Sequence, residues 1–366
     1  MNLKKMAAFG ATVGVALACV GLSSAAYAEP VSNSYSLVGS DTLQDSANAI
    51  INGTGAAGGF LRVTSSNTTL GNFDAFGSTA IQTKPGGPYF GRPSGSTAGV
   101  NALRASILGT NYSGNAAIPA KAITGQVDIA RSSSGPGANA NTSGLLAYVP
   151  YGRDAVGFAY KGGTGNWATL TAAQLKSIYE CNTTEIDGVA VTPRIPQNGS
   201  GTRSFFLSAI GVTTLGSCVN DTNNTTPEND ATVLGANQII PFSAANWVSQ
   251  ANGVAGVNTT TAAGVAFGSA LAGQAAFTGT APNLVPNSAY YTDTKFGRDT
   301  YLVVEYARIN SADPKYDAGL ARLVNPTVAN SLTSFGTIGT SVGNVKKKFG
   351  FLAPSTTTLT RAFATL

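Results

Sequence analysis

Short apolar runs alternate along this chain with polar, glycine-rich turns and with stretches of helical period. Ser36-Leu37-Val38 reads as a strand that runs into the turn Gly39-Ser40-Asp41-Thr42-Leu43. Leu43, Ala47, Ile50 and Ile51 then fall at i, i+4, i+7 and i+8, the stripe of one helix, with Gly53 as its stop and Asp41 or Thr42 as its cap. Leu61-Arg62-Val63 predicts another short strand. The turn Gly91-Arg92-Pro93-Ser94-Gly95-Ser96-Thr97 precedes a helix that carries Val100, Leu103 and Ile107 on one face, with Gly109 behind it. Val127-Asp128-Ile129-Ala130 predicts a strand leading into the polar loop Arg131-Ser132-Ser133-Ser134-Gly135-Pro136, and residues 155–160 are apolar and β-prone. Thr171 and Gln174 form a capping box ahead of Leu175, Ile178 and Tyr179. Ile195 belongs to the strand before Asn198-Gly199-Ser200-Gly201-Thr202-Arg203. Phe206 and Ile210, four apart with Phe205 beside them, give the following helix a buried face that ends at Gly211. Strand, glycine-rich turn and helix recur, which predicts an α/β architecture without solenoid repeats.

The N-terminus has a different pattern. Lys4 and Lys5 precede an uncharged apolar run over 6–20, and Ala26-Tyr27-Ala28 is an A-x-A cleavage site. Residues 1–28 therefore read as a secretory signal, with the mature chain starting at Glu29. The run is short for a membrane span, and no later stretch is apolar enough for one. Ala16-Leu17-Ala18 before Cys19 fits a lipobox poorly, so free secretion is favoured over lipid anchoring. Removing Lys4 and Lys5 from the 22 basic residues leaves 20 against 17 acidic, and the net charge falls from +5 to +3. Charge this sparse forms no nucleic-acid stripe. Lys346-Lys347-Lys348 reads as a solvated helix end.

Of three cysteines, Cys181 and Cys218 remain after processing, and an even pair in an oxidising compartment reads as a disulfide. The chain contains no histidine. Ser-His-Asp and Cys-His catalysis and His-dependent metal sites are thereby excluded. An enzyme such as a phosphatase is the least favoured reading, and no cofactor or metal is expected. What remains is a set of turns at helix starts, 39–43, 91–97 and 198–203, plus the serine-rich loop with Arg131. The Gly199 to Arg203 turn puts unpartnered backbone N–H groups, the positive end of a helix dipole, the Ser200 and Thr202 hydroxyls and a cation in one place, a seat for an anion. A serine cap on an ordinary helix explains each turn taken alone. Converging in one cleft, they would surround a small oxyanion.

In order along nearly the whole mature chain, these stretches resemble the phosphate-binding proteins of ABC phosphate importers, the PstS-like branch of the periplasmic-binding superfamily. Leu37-Val38-Gly39-Ser40-Asp41-Thr42 resembles the first phosphate-binding turn and Pro93-Ser94-Gly95-Ser96 the second. Val127 to Ser133 is similar to the loop written DxxxSD or ARSS, and Val149-Pro150-Tyr151-Gly152-Arg153-Asp154-Ala155-Val156 to a strand crossing between lobes. Leu170-Thr171 through Tyr179, Gly199-Ser200-Gly201-Thr202-Arg203, Arg298-Asp299-Thr300-Tyr301-Leu302-Val303-Val304 and Lys348-Phe349-Gly350-Phe351 complete the match. The resemblance implies a two-lobed, type II binding-protein fold with a central cleft and two crossing hinge segments. Lobe 1 would hold 29–152 and 295–366, and lobe 2 would hold 153–294. It implies a secreted monomer that captures phosphate for an ABC permease. Alternatives are another oxyanion or a phosphorylated small molecule on the same fold, or a released surface or adhesion protein without a transport role. Carried over by position, Thr42, the Leu43 amide, Ser94, Ser200, Gly201 and Thr202 would hold the anion, joined by Ser40 of the first turn and by Ser132 and Ser133 of the serine-rich loop. The family's arginine four residues before the Ser of GSGT is Pro196 here, and the Asp of its SD loop is Ser133. Arg131 or Arg203 would then supply the cation, and Asp41 the proton acceptor.

Overall fold

The computed structural model of the chain describes residues 35–65, 68–336 and 338–366. The expected export segment 1–28, with Cys19, lies outside them. The main elements are β1 (Tyr35–Gly39), α1 (Gln44–Asn52), β2 (Leu70–Asn72), α2 (Ser96–Leu108), β3 (Ile129–Ser132), β4 (Leu146–Lys161), α3 (Ala172–Tyr179), β5 (Thr192–Pro193), α4 (Gly201–Ile210), β6 (Gln238–Ser243), α5 (Ala244–Ala251), β7 (Val265–Gly268), β8 (Gly297–Glu305), α6 (Val342–Lys348) and β9 (Thr360–Ala362). These strands form one mixed sheet in the order β5-β6-β4-β8-β3-β1-β2, with β7 and β9 also on β4. β1 is parallel to β2 and β3, whereas β4 is antiparallel to all its partners.

The 16-residue β4 organises the molecule. Its first half pairs with β9 and its second half with β6 and β7. β8 runs beside it from Gly297 opposite Ala155 to Glu305 opposite Leu146. Successive strand residues face opposite sides, so each half carries two buried faces. Leu37 and Leu302 lie on one side of the first half with Ile50, Ile51 and Val345, and Val38 and Val303 lie on the other with Val100 and Leu103. In the second half Phe158 and Ile239 pack with Tyr179, Phe206 and Ile210, and Ala159 and Ile240 with Phe242 and Trp247. The result is the expected two-lobed α/β fold, in which β4 and β8 pass between the lobes.

The predicted elements are present with four differences. Residues 61–63 form no strand: the Val63 amide donates to Ile50 O on α1, and Leu61 and Val63 fill the core beside that helix. The strand predicted from Val127 starts at Ile129, because the Val127 backbone bonds Ser106 and Asp128 is engaged with Lys84 and Arg308. Ile195 is buried but lies beyond β5. Lys346 is not a solvated helix end. Its ammonium is fully buried, donates to Tyr151 O at 2.7 Å and Ser334 O at 3.1 Å, and lies 3.8 Å from the Tyr151 ring centroid. Cys181 and Cys218 are bonded, with Cα atoms 5.9 Å apart, tying the end of α3 to the loop after α4. No helix among the described residues is long and apolar enough to cross a membrane.

Candidate functional site

Three chain turns meet where β4 and β8 cross. At the first, Gly39 has φ +113°, and a Cβ there would lie 2.6 Å from Arg131 O, so only glycine lets β1 end against β3. The Ser40 amide donates to Arg131 O, and Ser40 Oγ accepts from the Thr42 amide. The N-cap of α1 is Leu43, and no side chain caps it. Neither Asp41 nor Thr42 is the cap expected from the pattern. Asp41 turns inward instead and accepts from Asn246 Nδ2 of α5 at 3.1 Å.

At the second turn Ser96 Oγ lies 3.1 Å from Ser133 Oγ and accepts from the Ser133 amide at 3.0 Å. The third turn comes from the opposite lobe. Ser200 caps α4, its Oγ accepting from the Arg203 amide at 2.9 Å and keeping its own proton to donate. Gly201 lies against the Ser96 and Ser133 hydroxyls, where a Cβ would collide with both. Beside it Thr97 N–H donates to Gly199 O, and Gln197 Nε2 donates to Ser94. The lobes are thus in direct contact across the cleft.

The cation at this meeting point is Arg298, on β8 and buried. Its Nε and Nη2 donate to Asp154 Oδ2 at 3.0 and 2.8 Å, and Nη2 lies 2.9 Å from Thr202 Oγ1 and 3.4 Å from Thr42 Oγ1. Asp154, on β4, also accepts from Ser243 Oγ and the Ala245 amide. Charge-assisted bonds of this kind hold the guanidinium rigidly. Arg298 Nη1 has no hydrogen-bond partner among the described residues. Asp41 Oδ1 and both oxygens of Glu228 are in the same condition. Glu228, in the loop before β6, lies beside the Asp41 carboxyl, the Thr202 amide and Arg298 without full hydrogen-bond geometry to any of them. Burial raises the proton affinity of Asp41 and Glu228, and the Asp41 charge raises that of Glu228 further. A buried group without its partner costs about 1–3 kcal/mol. Unused donor and acceptor positions thus stand together at this crossing.

Among the residues singled out from the sequence, Ser40, Asp41, Thr42, Ser133, Ser200, Gly201 and Thr202 converge here. Arg131 does not supply a free cation. Its five N–H groups go to Ser40 O, Leu37 O, Gly39 O, Phe73 O and Asn72 Oδ1, and burial lowers its pKa to about 10. It braces the first turn from behind. Arg203 lies outside, donating to Pro196 O at 2.8 Å. Ser132 Oγ donates back to Ser134 O, and the Leu43 side chain is in the core. Ser94 holds Gln197 at the rim, and Ser96 takes the inner place. The signal for Ser96 was the register Gly95-Ser96-Thr97, two residues on. Arg298 stands in a stretch that entered only as part of the family resemblance, and Glu228 in a loop with no pattern. No cluster of three or more His, Cys, Asp or Glu placed for a metal occurs among the described residues.

No protein-family model and no curated protein matches the sequence. Among solved structures, the fold is similar to that of an ABC-type phosphate transport receptor from Vibrio cholerae, with a TM-score of 0.52 and 14% identity, over 87% of this chain and 100% of that one. It is similar also to a putative phosphate ABC transporter substrate-binding protein from Clostridium perfringens, solved with bound phosphate, with a TM-score of 0.52 and 12% identity, over 88% and 99% of the two chains. At these identities the likeness is one of fold.

Proposed function

We propose that this chain is an exported solute-binding protein that captures inorganic phosphate between its lobes and presents it to an ABC-type importer. The observation that carries this reading is the buried group at the crossing: the open Arg298 Nη1 beside the open Asp41 Oδ1, with the hydroxyls of Thr42, Thr202, Ser200, Ser96 and Ser133 around them. Arg298, the α4 N-terminus and the hydroxyls donate to an oxyanion. Asp41 accepts, so the oxyanion must carry a proton. Hydrogen phosphate does, and sulfate at neutral pH does not. The lobes in this reading are 29–152 with 295–366, and 153–294, preceded by a signal cleaved after Ala28. A ligand held by both lobes stabilises the closed arrangement by its differential contacts there.

Calorimetric titration of the mature protein with phosphate and with sulfate tests this directly. Phosphate is expected to bind and sulfate to bind far more weakly. Asp41→Asn should weaken phosphate and improve sulfate relative to it. A wild-type protein that binds neither anion would overturn the reading.

A further inference from the structure

We propose that Glu228 is a second proton-accepting group of the anion seat, supplied by the opposite lobe, so that the seat takes up a proton together with its oxyanion. This rests on the phosphate reading above. Asp41 and Glu228 reach the crossing from different lobes, one in the turn after β1 and the other in the loop before β6. Both are buried, at 1% exposure each, and three of their four oxygens lack a hydrogen bond among the described residues. The Thr202 amide, at the α4 N-terminus where an anion would be received, faces Glu228. An oxyanion seated there therefore lies against two carboxyls, not one.

The surrounding charges do not cancel this pair. From β8 comes Arg298, whose Nε and Nη2 are already paired with Asp154 of β4. From α5 comes Asn246, a neutral donor to Asp41. From α1 comes Asp45, which adds negative charge, and from β3 comes Arg131, whose donors are all engaged with other groups. One arginine with one open donor thus faces Asp41, Glu228 and the incoming anion. Negative groups forced together hold protons more tightly, and burial of the second carboxyl leaves it no water to turn to. The complex should therefore carry more protons than the free protein and free phosphate. Two acceptors facing a ligand with proton-bearing oxygens also discriminate more strongly against sulfate than one does.

The test is titration calorimetry of the mature protein with inorganic phosphate from pH 6 to 9, in buffers of different ionisation heat, which counts protons taken up. Each proton taken up weakens binding about tenfold per pH unit as pH rises. Glu228→Gln is expected to take up fewer protons on the alkaline side and to show a pH slope shallower by up to about tenfold per unit. It should also gain affinity for sulfate, because its amide donates. Glu228→Ala, run in parallel with thermal unfolding of both variants, covers the case in which one does not fold. Equal proton counts and parallel pH slopes in wild type and variant would overturn the assignment while leaving the phosphate reading intact. So would a wild-type count of zero, without any variant. Absence of phosphate binding by the wild type at every pH would instead remove both.

Discussion

Arg298 has a side chain in two roles. It neutralises Asp154 inside the sheet crossing and leaves one donor open beside Thr42 and Thr202. Truncation would leave Asp154 buried and unpaired, a cost of about 3–5 kcal/mol that would confound any binding measurement. Arg298→Lys keeps the charge and removes the planar fork. It is expected to fold and to lose phosphate affinity about tenfold to a hundredfold, from about 1.5–3 kcal/mol for one hydrogen bond to a charged group. Calorimetry on the refolded variant checks this, and full affinity would place the anion elsewhere. Lys346 makes the complementary case of a cation with no anion. Burial pushes its ammonium well below the usual lysine range. Between that lowered value and about 10.5 the unfolded chain binds a proton that the folded chain does not. Stability should therefore rise with pH across this window, by up to about 1.4 kcal/mol per unit, and fall again on acidification. Lys346→Met should flatten that slope in denaturant unfolding between pH 7 and 10. Parallel profiles would show that the lysine stays charged.

At the scale of the element, α4 shows how one short helix serves fold and site together. Phe206 and Ile210 bury its far face, the αL glycine Gly211 ends it, and Ser200 caps its start. Its first residues press on the other lobe through Gly201. Ser200→Ala is expected to cost about 1 kcal/mol of stability from the lost cap, and in addition about tenfold to a hundredfold in phosphate affinity. Affinity and thermal unfolding measured on the same protein separate the two, and full affinity would leave Ser200 as a cap alone. Gly201→Val should keep the Phe206 packing while abolishing binding, because its side chain would meet Ser96 and Ser133. The disulfide anchors the far end of the same unit. With 36 residues between its cysteines, the chain-entropy estimate of its worth is about 4 kcal/mol at most. Changing both cysteines to serine should lower the thermal midpoint without moving the seat.

For the whole molecule, the paired strands β4 and β8 let the hydrophobic cores of both halves of the sheet bear on one polar spot. At this spot the lobes meet through polar contacts, Thr97 to Gly199, Gln197 to Ser94 and Asn246 to Asp41, while away from it Ala245 packs with Val345 and Phe349 in an apolar contact. Polar contacts around the seat are completed by a ligand, which in the proposed function suits capture and release. A ligand that binds only the closed form raises apparent stability by mass action, by about 2.7 kcal/mol at a hundred times its Kd.

Local pattern was sufficient for much of this. The helical stripes of α1 and α2, the capping box of α3, the Gly199 to Arg203 turn and the cysteine pair are readable because each depends on residues a few positions apart, or on a count, whereas the crossing strands were legible only through the family resemblance. Most of the corrections concern long-range contacts. Asp41, Thr42 and Ser200 could be placed in helix-start turns, but whether a carboxyl caps its helix or faces a cleft depends on what stands opposite. Arg131 and Arg203 carried local promise as cations, yet the carbonyls that engage Arg131 arrive by folding, and Arg203 turns back to Pro196 O in its own turn. Arg298 is separated from Asp154 by 144 residues, from Thr202 by 96 and from Thr42 by 256. Only the register of β8 on β4 and the meeting of the lobes bring those groups within 3.4 Å. Burial then decides their chemistry, since the same side chains in water would be an unremarked arginine, two ordinary acids and a solvated lysine.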